Sequence, residues 1–173
     1  YGKFGFVDTS LQHQLRDGKY QQRFEGGVRS ACFVKWPGMI NAGAVNQNIY
    51  SGVDLFTSFL QVAGAEIPAA AVVDGKPMIE SIISNKPVRN TFYAFAPQKE
   101  VQGVRYNNWK LVIDKRGGKT SLLLFNLAND PSELNDLASK NKNIVQTMYN
   151  LATSAEQAIV NNLPLQETNS FNF

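Results

Sequence analysis

Residues 91–125 read TFYAFAPQKEVQGVRYNNWKLVIDKRGGKTSLLLF, and this stretch decides the fold. Runs at 91–96, 101–106, 109–114 and 120–125 are short and rich in aromatic or β-branched residues, which suit a pleated, half-buried surface. Asn107-Asn108 separates the middle pair by two residues, and Asn tolerates the positive φ that such hairpin turns need. Arg116-Gly117-Gly118-Lys119 makes the next turn. The pattern predicts a four-stranded antiparallel meander, with the connection between the first two strands open to either a hairpin or a crossover.

On the C-terminal side, 143–160 places Ile144, Val145, Met148, Leu151, Ala152, Ala155 and Ile159 on one helical stripe. This helix is expected to cover one sheet face, and 161–173, which lacks periodicity, to trail over the surface. On the N-terminal side, Pro77 precedes a short helix-like segment at 78–84, and 65–74 reads as a hinge with Pro68 and several alanines. Before it, Val53, Phe56, Leu60 and Ala63, flanked by Leu55, Phe59 and Val62, recur at the spacing of a mostly buried helix. Ser51 is its expected N-cap and Gly64 its stop. Residues 31–36 (ACFVKW), closed by Pro37-Gly38, predict a buried strand, and the first 30 residues read as loop.

With 173 residues, 43% of them hydrophobic and 18% charged, the chain can build a core and is not of disordered composition. One cysteine excludes an internal disulfide, and no Cys/His grouping has zinc spacing. A formal net charge of +3 without Lys/Arg clustering argues against a nucleic-acid partner. No apolar run approaches the ~18–20 residues of a membrane span, and the start lacks the charged and apolar regions of a signal peptide.

The catalytic inventory is thin. His13 is the only imidazole, and Cys32, inside the expected strand, reads as an inert core thiol. Asp8 and Asp17 flank His13 and offer one oxygen-bearing group each to a hard cation, which wants several. Arg16-Asp17-Gly18-Lys19 and Glu25-Gly26-Gly27-Val28-Arg29 are charged loops in which glycine lets backbone approach an anion. Arg105, Lys110, Lys115, Arg116 and Lys119 form a basic stretch that reads either as a solvated hairpin or as a contact for an anionic substrate.

The order of short motifs carries more than any one of them. Leu15-Arg16-Asp17-Gly18-Lys19, Glu25-Gly-Gly-Val-Arg29, Trp36-Pro-Gly38, Val53-Asp-Leu-Phe56 with Ala63-Gly64, Asp74-Gly75, Trp109-Lys-Leu111, and Asn129-Asp-Pro-Ser-Glu133 with Leu137-Ala138 follow one another over residues 8–160. In that order they resemble the C-terminal portion of a type I, arylsulfatase-like sulfatase.

The resemblance implies a fragment of an alkaline-phosphatase-like α/β hydrolase. Residues 1–65 would be the tail of the catalytic core, and 66–160 a C-terminal α+β subdomain of four antiparallel strands with a packed helix. It implies hydrolysis of sulfate esters with a bound calcium ion and a formylglycine made from Cys or Ser in a C-x-P-x-R-type motif. That motif is absent here, since Cys32 is followed by Phe-Val-Lys, so the nucleophile is expected in an N-terminal part of the same protein. By family position Lys19 contacts the substrate sulfate and Asp8 is one calcium ligand, although Thr9 stands where the family has Asn. Asp17 replaces a Gly, Thr57 a Pro and Asp136 an Asn.

Glu25-Gly-Gly-Val-Arg29 reads as scaffold, with Glu25 and Arg29 paired to each other or to backbone. Arg105 and Arg116 would meet a sulfated carbohydrate. Relatives' compartments imply a periplasmic, secreted or lysosomal protein. Two alternatives stand beside this reading: a phosphoryl or phosphonate hydrolase of the same superfamily, and a non-catalytic structural or glycan-binding module.

Overall fold

The computed structural model describes residues 15–18, 23–165 and 171. They divide into two compact units: the described residues up to Ser30 with 93–156, and 31–92 with the described residues from Gln157 onward.

The first unit is built on the meander. Strands β1 (Thr91–Phe95), β2 (Val101–Tyr106), β3 (Trp109–Asp114) and β4 (Ser121–Asn126) lie in the order β1-β2-β3-β4. β1 reaches β2 through a tight turn in which the Ala96 N–H donates to the Glu100 carbonyl at 2.7 Å and Lys99 takes φ 67°. The first connection is therefore a hairpin rather than a crossover. Asn107, at φ 51°, turns β2 into β3 so that Tyr106 faces Trp109 and Val104 faces Leu111. Gly117 and Gly118, at φ 68° and 72°, turn β3 into β4, where Lys110 faces Phe125 and Leu111 faces Leu124.

Alternation then sorts the side chains. Val104, Leu111, Ile113 and Leu124 point to one face and are buried. Each such burial stabilises by roughly 1.5–3 kcal/mol. Gly103, Arg105, Lys110, Val112 and Phe125 share the other face, where Phe24 packs on Val112 and Phe125 with Leu123 and Leu127 beside them. Helix α4 (Lys142–Val160) buries Met148, Ala152 and Ala155, spaced i, i+4 and i+7. Its Glu156 ties it to the sheet, accepting from the Val101 N–H at 2.8 Å and Lys115 Nζ at 2.9 Å. Beyond β4, Asp136 accepts the Leu124 N–H at 3.0 Å and the Leu137 N–H donates to the Leu124 carbonyl at 2.8 Å, so this segment runs beside the strand.

The second unit contains α2 (Asp54–Ala63) and α3 (Ile79–Ser84). Gly64 stops α2 in a left-handed conformation, with its N–H on Gln61 and the Ala65 N–H on Leu60, which is a Schellman closure. At the other end the N-cap is Val53 rather than Ser51, with no side-chain cap, although Asp54 Oδ2 accepts the Ser51 N–H at 2.7 Å.

Two expectations fail in this unit. Residues 31–36 form no strand, and Cys32 is exposed rather than a core thiol. An apolar run becomes a strand only where a ladder partner exists, and it has none among the described residues. Helix α2 is not mostly buried: Val53, Leu55, Phe56, Phe59 and Val62 are exposed, Phe59 by 64%, while Asp54, Thr57 and Ser58 are the buried side. Helical spacing marks a face that needs covering without saying what covers it.

Candidate functional site

The chemistry-bearing groups of the first unit converge where the loop before β1 meets the polar face of the sheet. Helix α1 (Glu25–Val28) is a single turn, closed by the Arg29 N–H on the Glu25 carbonyl at 2.7 Å. It exists because Gly26 fits where nothing larger does. A Cβ there would collide with the backbone oxygens of Arg16 and Asp17, and the Gly26 N–H donates to the Arg16 carbonyl at 3.0 Å. Residues 16 and 26 are thereby joined, and Lys19 lies in sequence between them.

Glu25 is buried and accepts from two cations: Lys110 Nζ reaches Oε1 at 2.8 Å and Arg105 Nη1 reaches Oε2 at 3.2 Å. Lys110 is fully buried, and its stem has room because β2 carries a glycine diagonal to it, opposite Val112: a Cβ on Gly103 would meet Lys110 Cε at 3.2 Å and the Arg23 carbonyl at 3.1 Å. Arg105 also donates from Nε to the Asn107 carbonyl at 3.0 Å. Arg29, the partner expected for Glu25, is exposed instead.

Glu133 completes the group. Its carboxylate is fully buried, with Oε2 accepting the Glu25 N–H at 2.8 Å and Oε1 without a hydrogen-bond partner among the described residues. Arg16 Nη1 donates to the Glu133 carbonyl at 2.8 Å while its guanidinium lies 3.9 Å from the centre of the Phe24 ring. Three cations and two carboxylates from five separate stretches of chain thus share one buried cluster. Such an arrangement depends on pairing, because each unpaired charge would carry a desolvation cost of several kcal/mol.

Burial pushes the Glu133 carboxyl above its ordinary value, against the opposing pull of the Glu25 amide and Lys110. The folded state therefore keeps its proton to higher pH than the unfolded chain does. The stabilisation is fully present below the ordinary carboxyl value of 4.5 and fades as pH rises through the raised one. Glu133→Gln is expected to flatten this part of the pH profile, as read from urea midpoints between pH 4.5 and 7.5. An unchanged slope would refute the assignment.

Arg23, Lys115 and Arg116 are engaged in ion pairs. Arg116, 72% exposed, forks onto Asp114 with contacts of 2.6–3.1 Å, and this bonding holds the Asp114 carboxyl down at about 2. Arg23 also reaches Asp114, at 3.2 Å. Lys115 lies 2.9 Å from Glu156 and 3.9 Å from Glu100. A concavity of about 200 Å³ opens here, lined by Arg23, Gln102, Asp114, Lys115 and Arg116 among others.

Of the residues singled out in the sequence, Arg105 enters the buried cluster and Arg116 sits at this concavity, while Asp8, His13 and Lys19 lie outside the described residues. Among the described residues, no three His, Cys, Asp or Glu side chains gather as a metal site, and Glu25 and Asp54 are already committed to cations and backbone amides. The described donors do not fit a calcium ion. Arg16 and Lys110 were singled out only as members of a charged loop and of the basic stretch, and Glu133 was not anticipated as part of a site.

The second unit has its own buried acid. Asp54 Oδ1 accepts the Lys76 N–H at 2.8 Å and pairs with Arg89, and its carbonyl accepts Thr57 Oγ1 at 3.0 Å and Ser58 Oγ at 2.5 Å. Ser58 Oγ in turn accepts the Met78 N–H at 2.9 Å. The Asp54 carboxylate serves two backbone amides and Arg89, which marks a structural hub.

Residues 13–159 match the family model described as N-sulphoglucosamine sulphohydrolase, C-terminal. An uncharacterised sulfatase of Schizosaccharomyces pombe is 26% identical over 147 residues, covering 79% of this chain and 26% of that protein. N-acetylgalactosamine-6-sulfatase of Mus musculus is 38% identical over 74 residues, 42% of this chain and 14% of that protein. Among solved structures, the PsFucS1 sulfatase from Pseudoalteromonas sp. superposes with a TM-score of 0.71 over 89% of this chain and 34% of that one, at 23% identity. Ps i-CgsB in complex with k-i-k-neocarrahexaose gives 0.69 over 83% of this chain and 32% of that one, at 26% identity. The chain spans about a quarter or less of these relatives' length and about a third of the solved chains. No helix among the described residues is long and apolar enough to cross a membrane.

Proposed function

Because this chain belongs to the N-sulphoglucosamine sulphohydrolase C-terminal family of sulfatases, we propose that the full-length protein hydrolyses sulfate esters and that Lys19 holds the sulfate group. The observation that carries this reading is the family match across residues 13–159, which takes in Lys19.

An ammonium group beside the ester neutralises the sulfate in the bound substrate. It also stabilises the charge that grows on the transferring group and leaving oxygen as the S–O bond breaks. Glu25 is committed to Lys110 and Arg105, and the buried Glu25–Lys110 pair serves as framework. Arg116 is the exposed cation at the concavity and, with Arg105, is the proposed contact for a sulfated carbohydrate. The names of the galactosamine sulfatase and of the neocarrahexaose complex support that substrate class.

Residues 1–65 are proposed as the tail of the catalytic core and 66–160 as its C-terminal subdomain. The rest of the core would precede them, consistent with the share of relatives' length that the chain spans. That missing part is the natural cover for the exposed apolar side of α2. It would also bring the formylglycine, which supplies the nucleophile in a sulfatase, and most ligands of a calcium ion to which Asp8 adds one. A periplasmic, secreted or lysosomal location accords with the family.

Lys19→Ala in the full-length protein is expected to lower kcat/KM for 4-nitrophenyl sulfate by about 10²–10³-fold, the usual effect of removing one charge-stabilising donor. An unchanged kcat/KM would end the sulfate-holding role.

A further inference from the structure

A meander makes its first and third turns at the same end of its sheet, because alternate strands run in opposite directions. In this chain that end carries polar groups which the framework leaves unused. The β1–β2 turn presents Gln98 and Glu100, β2 opens with Gln102, and β3 runs out through Asp114 to Lys115 and Arg116. All border the concavity of about 200 Å³, whose apolar members, Val101 and Ile113, are themselves buried.

Arg116 is held ready at this concavity. Its Nε and Nη2 fork onto Asp114, its own N–H reaches Asp114 Oδ1 at 3.2 Å, and Arg23 holds the same carboxylate at 3.2 Å. Nη1 has no partner among the described residues. A side chain already fixed by its neighbours loses less freedom on binding than a free one, so this edge of the guanidinium is a preorganised donor for an anionic group. Gln98 and Gln102 make no side-chain hydrogen bond among the described residues. Glu100 keeps 52% of its side chain in solvent, with Lys115 3.9 Å away.

The lining selects the class of ligand. Each glutamine amide both donates and accepts, a carboxylate accepts, and a guanidinium only donates. Hydroxyl groups, which donate and accept at once, match that mixture, whereas an apolar ligand would strip these groups of water and return no hydrogen bond. The volume lies below the roughly 300–1,000 Å³ of sites for drug-sized ligands, which leaves room for a single ring.

We propose that this concavity is a subsite for one anionic pyranose unit of a carbohydrate. Gln98, Gln102 and Glu100 hold the ring hydroxyls, and Arg116 Nη1 holds the acidic group, a sulfate or a carboxylate. The proposal deepens the carbohydrate contact assigned to Arg116 above and rests on that reading.

The test uses the full-length protein and three matched sugars: 6-deoxy-6-sulfogalactose, galacturonic acid and galactose. The first carries a carbon-linked sulfonate and cannot be hydrolysed. Dissociation constants are read from the slowing of amide hydrogen exchange at 98–102 and 113–118, so that occupancy elsewhere in the protein does not enter. Both acidic sugars are expected to bind about tenfold more tightly than galactose, the worth of one charged hydrogen bond. Arg116→Ala, at an exposed position, should bring the three sugars to nearly equal affinity. Gln102→Ala should weaken all three by about fivefold, the worth of one neutral hydrogen bond. Tighter binding of the sulfonate names a sulfated sugar as the source of the ligand, and tighter binding of the carboxylate names a uronic acid.

If none of the sugars slows exchange in these two segments, or if the preference for acid survives Arg116→Ala, the subsite is overturned. Hydrolysis of galactose 6-sulfate by the same protein keeps the two failures apart. With that turnover intact only the subsite falls, and without it the sulfated-carbohydrate reading falls as well.

Discussion

Replacing Glu25 with Ala in the full-length protein is expected to cost about 3–5 kcal/mol, the penalty for stranding a buried charge. The charge stranded is Lys110, fully buried and bonded to Glu25 at 2.8 Å. Arg105 loses the same partner but keeps 21% of its side chain in solvent, so it can turn to water. The cost should fall mainly on Lys110, and the combination Glu25→Ala with Lys110→Met should then cost less than the sum of the two single changes. Urea midpoints of the four proteins measure this directly. Single changes below about 1 kcal/mol, or strict additivity, would show that the pair is worth no more than a surface contact.

The second large effect is expected at Asp54. Asp54→Asn preserves shape but leaves a single acceptor oxygen where the Ser51 amide, the Lys76 amide and Arg89 all donate. The new amide must face a donor, and Arg89, whose side chain is only 10% exposed, loses its counter-charge. A loss of about 3–5 kcal/mol follows from one broken buried pair. Arg89→Met should cost less than Asp54→Asn, because it removes the cation and leaves Asp54 two backbone donors. The reverse order would mean that Asp54 serves mainly to hold Arg89.

The meander was legible because its signals are local: strand-like composition, turns of Asn-Asn and Gly-Gly, and a helical stripe after it all lie within a few residues of the contacts they predict. The buried cluster was not legible. Lys110 sits between Trp109 and Leu111, and its partner Glu25 lies 85 residues away in a glycine loop. One clue was present: a lysine alternating with Val112 on a strand, opposite Phe125, occupies a core position and must have a counter-charge. Reading Glu25 and Arg29 as paired to each other or to backbone missed Lys110 and Arg105 for the same reason, since nearness in sequence stood in for nearness in space. Motif order located Lys19 and Asp8 by resemblance alone, and α2 showed an apolar face without naming its cover.

The long span between Glu25 and Lys110 also bears on how the protein is made. During synthesis the glutamate leaves the ribosome well before its lysine, and it stays hydrated until β2 and β3 have zipped through their short turns. Contacts of high sequence separation form late and slowly. The Glu25 turn can therefore lock down only on a finished sheet, so a polypeptide stalled before residue 110 has no means of assembling the buried cluster prematurely.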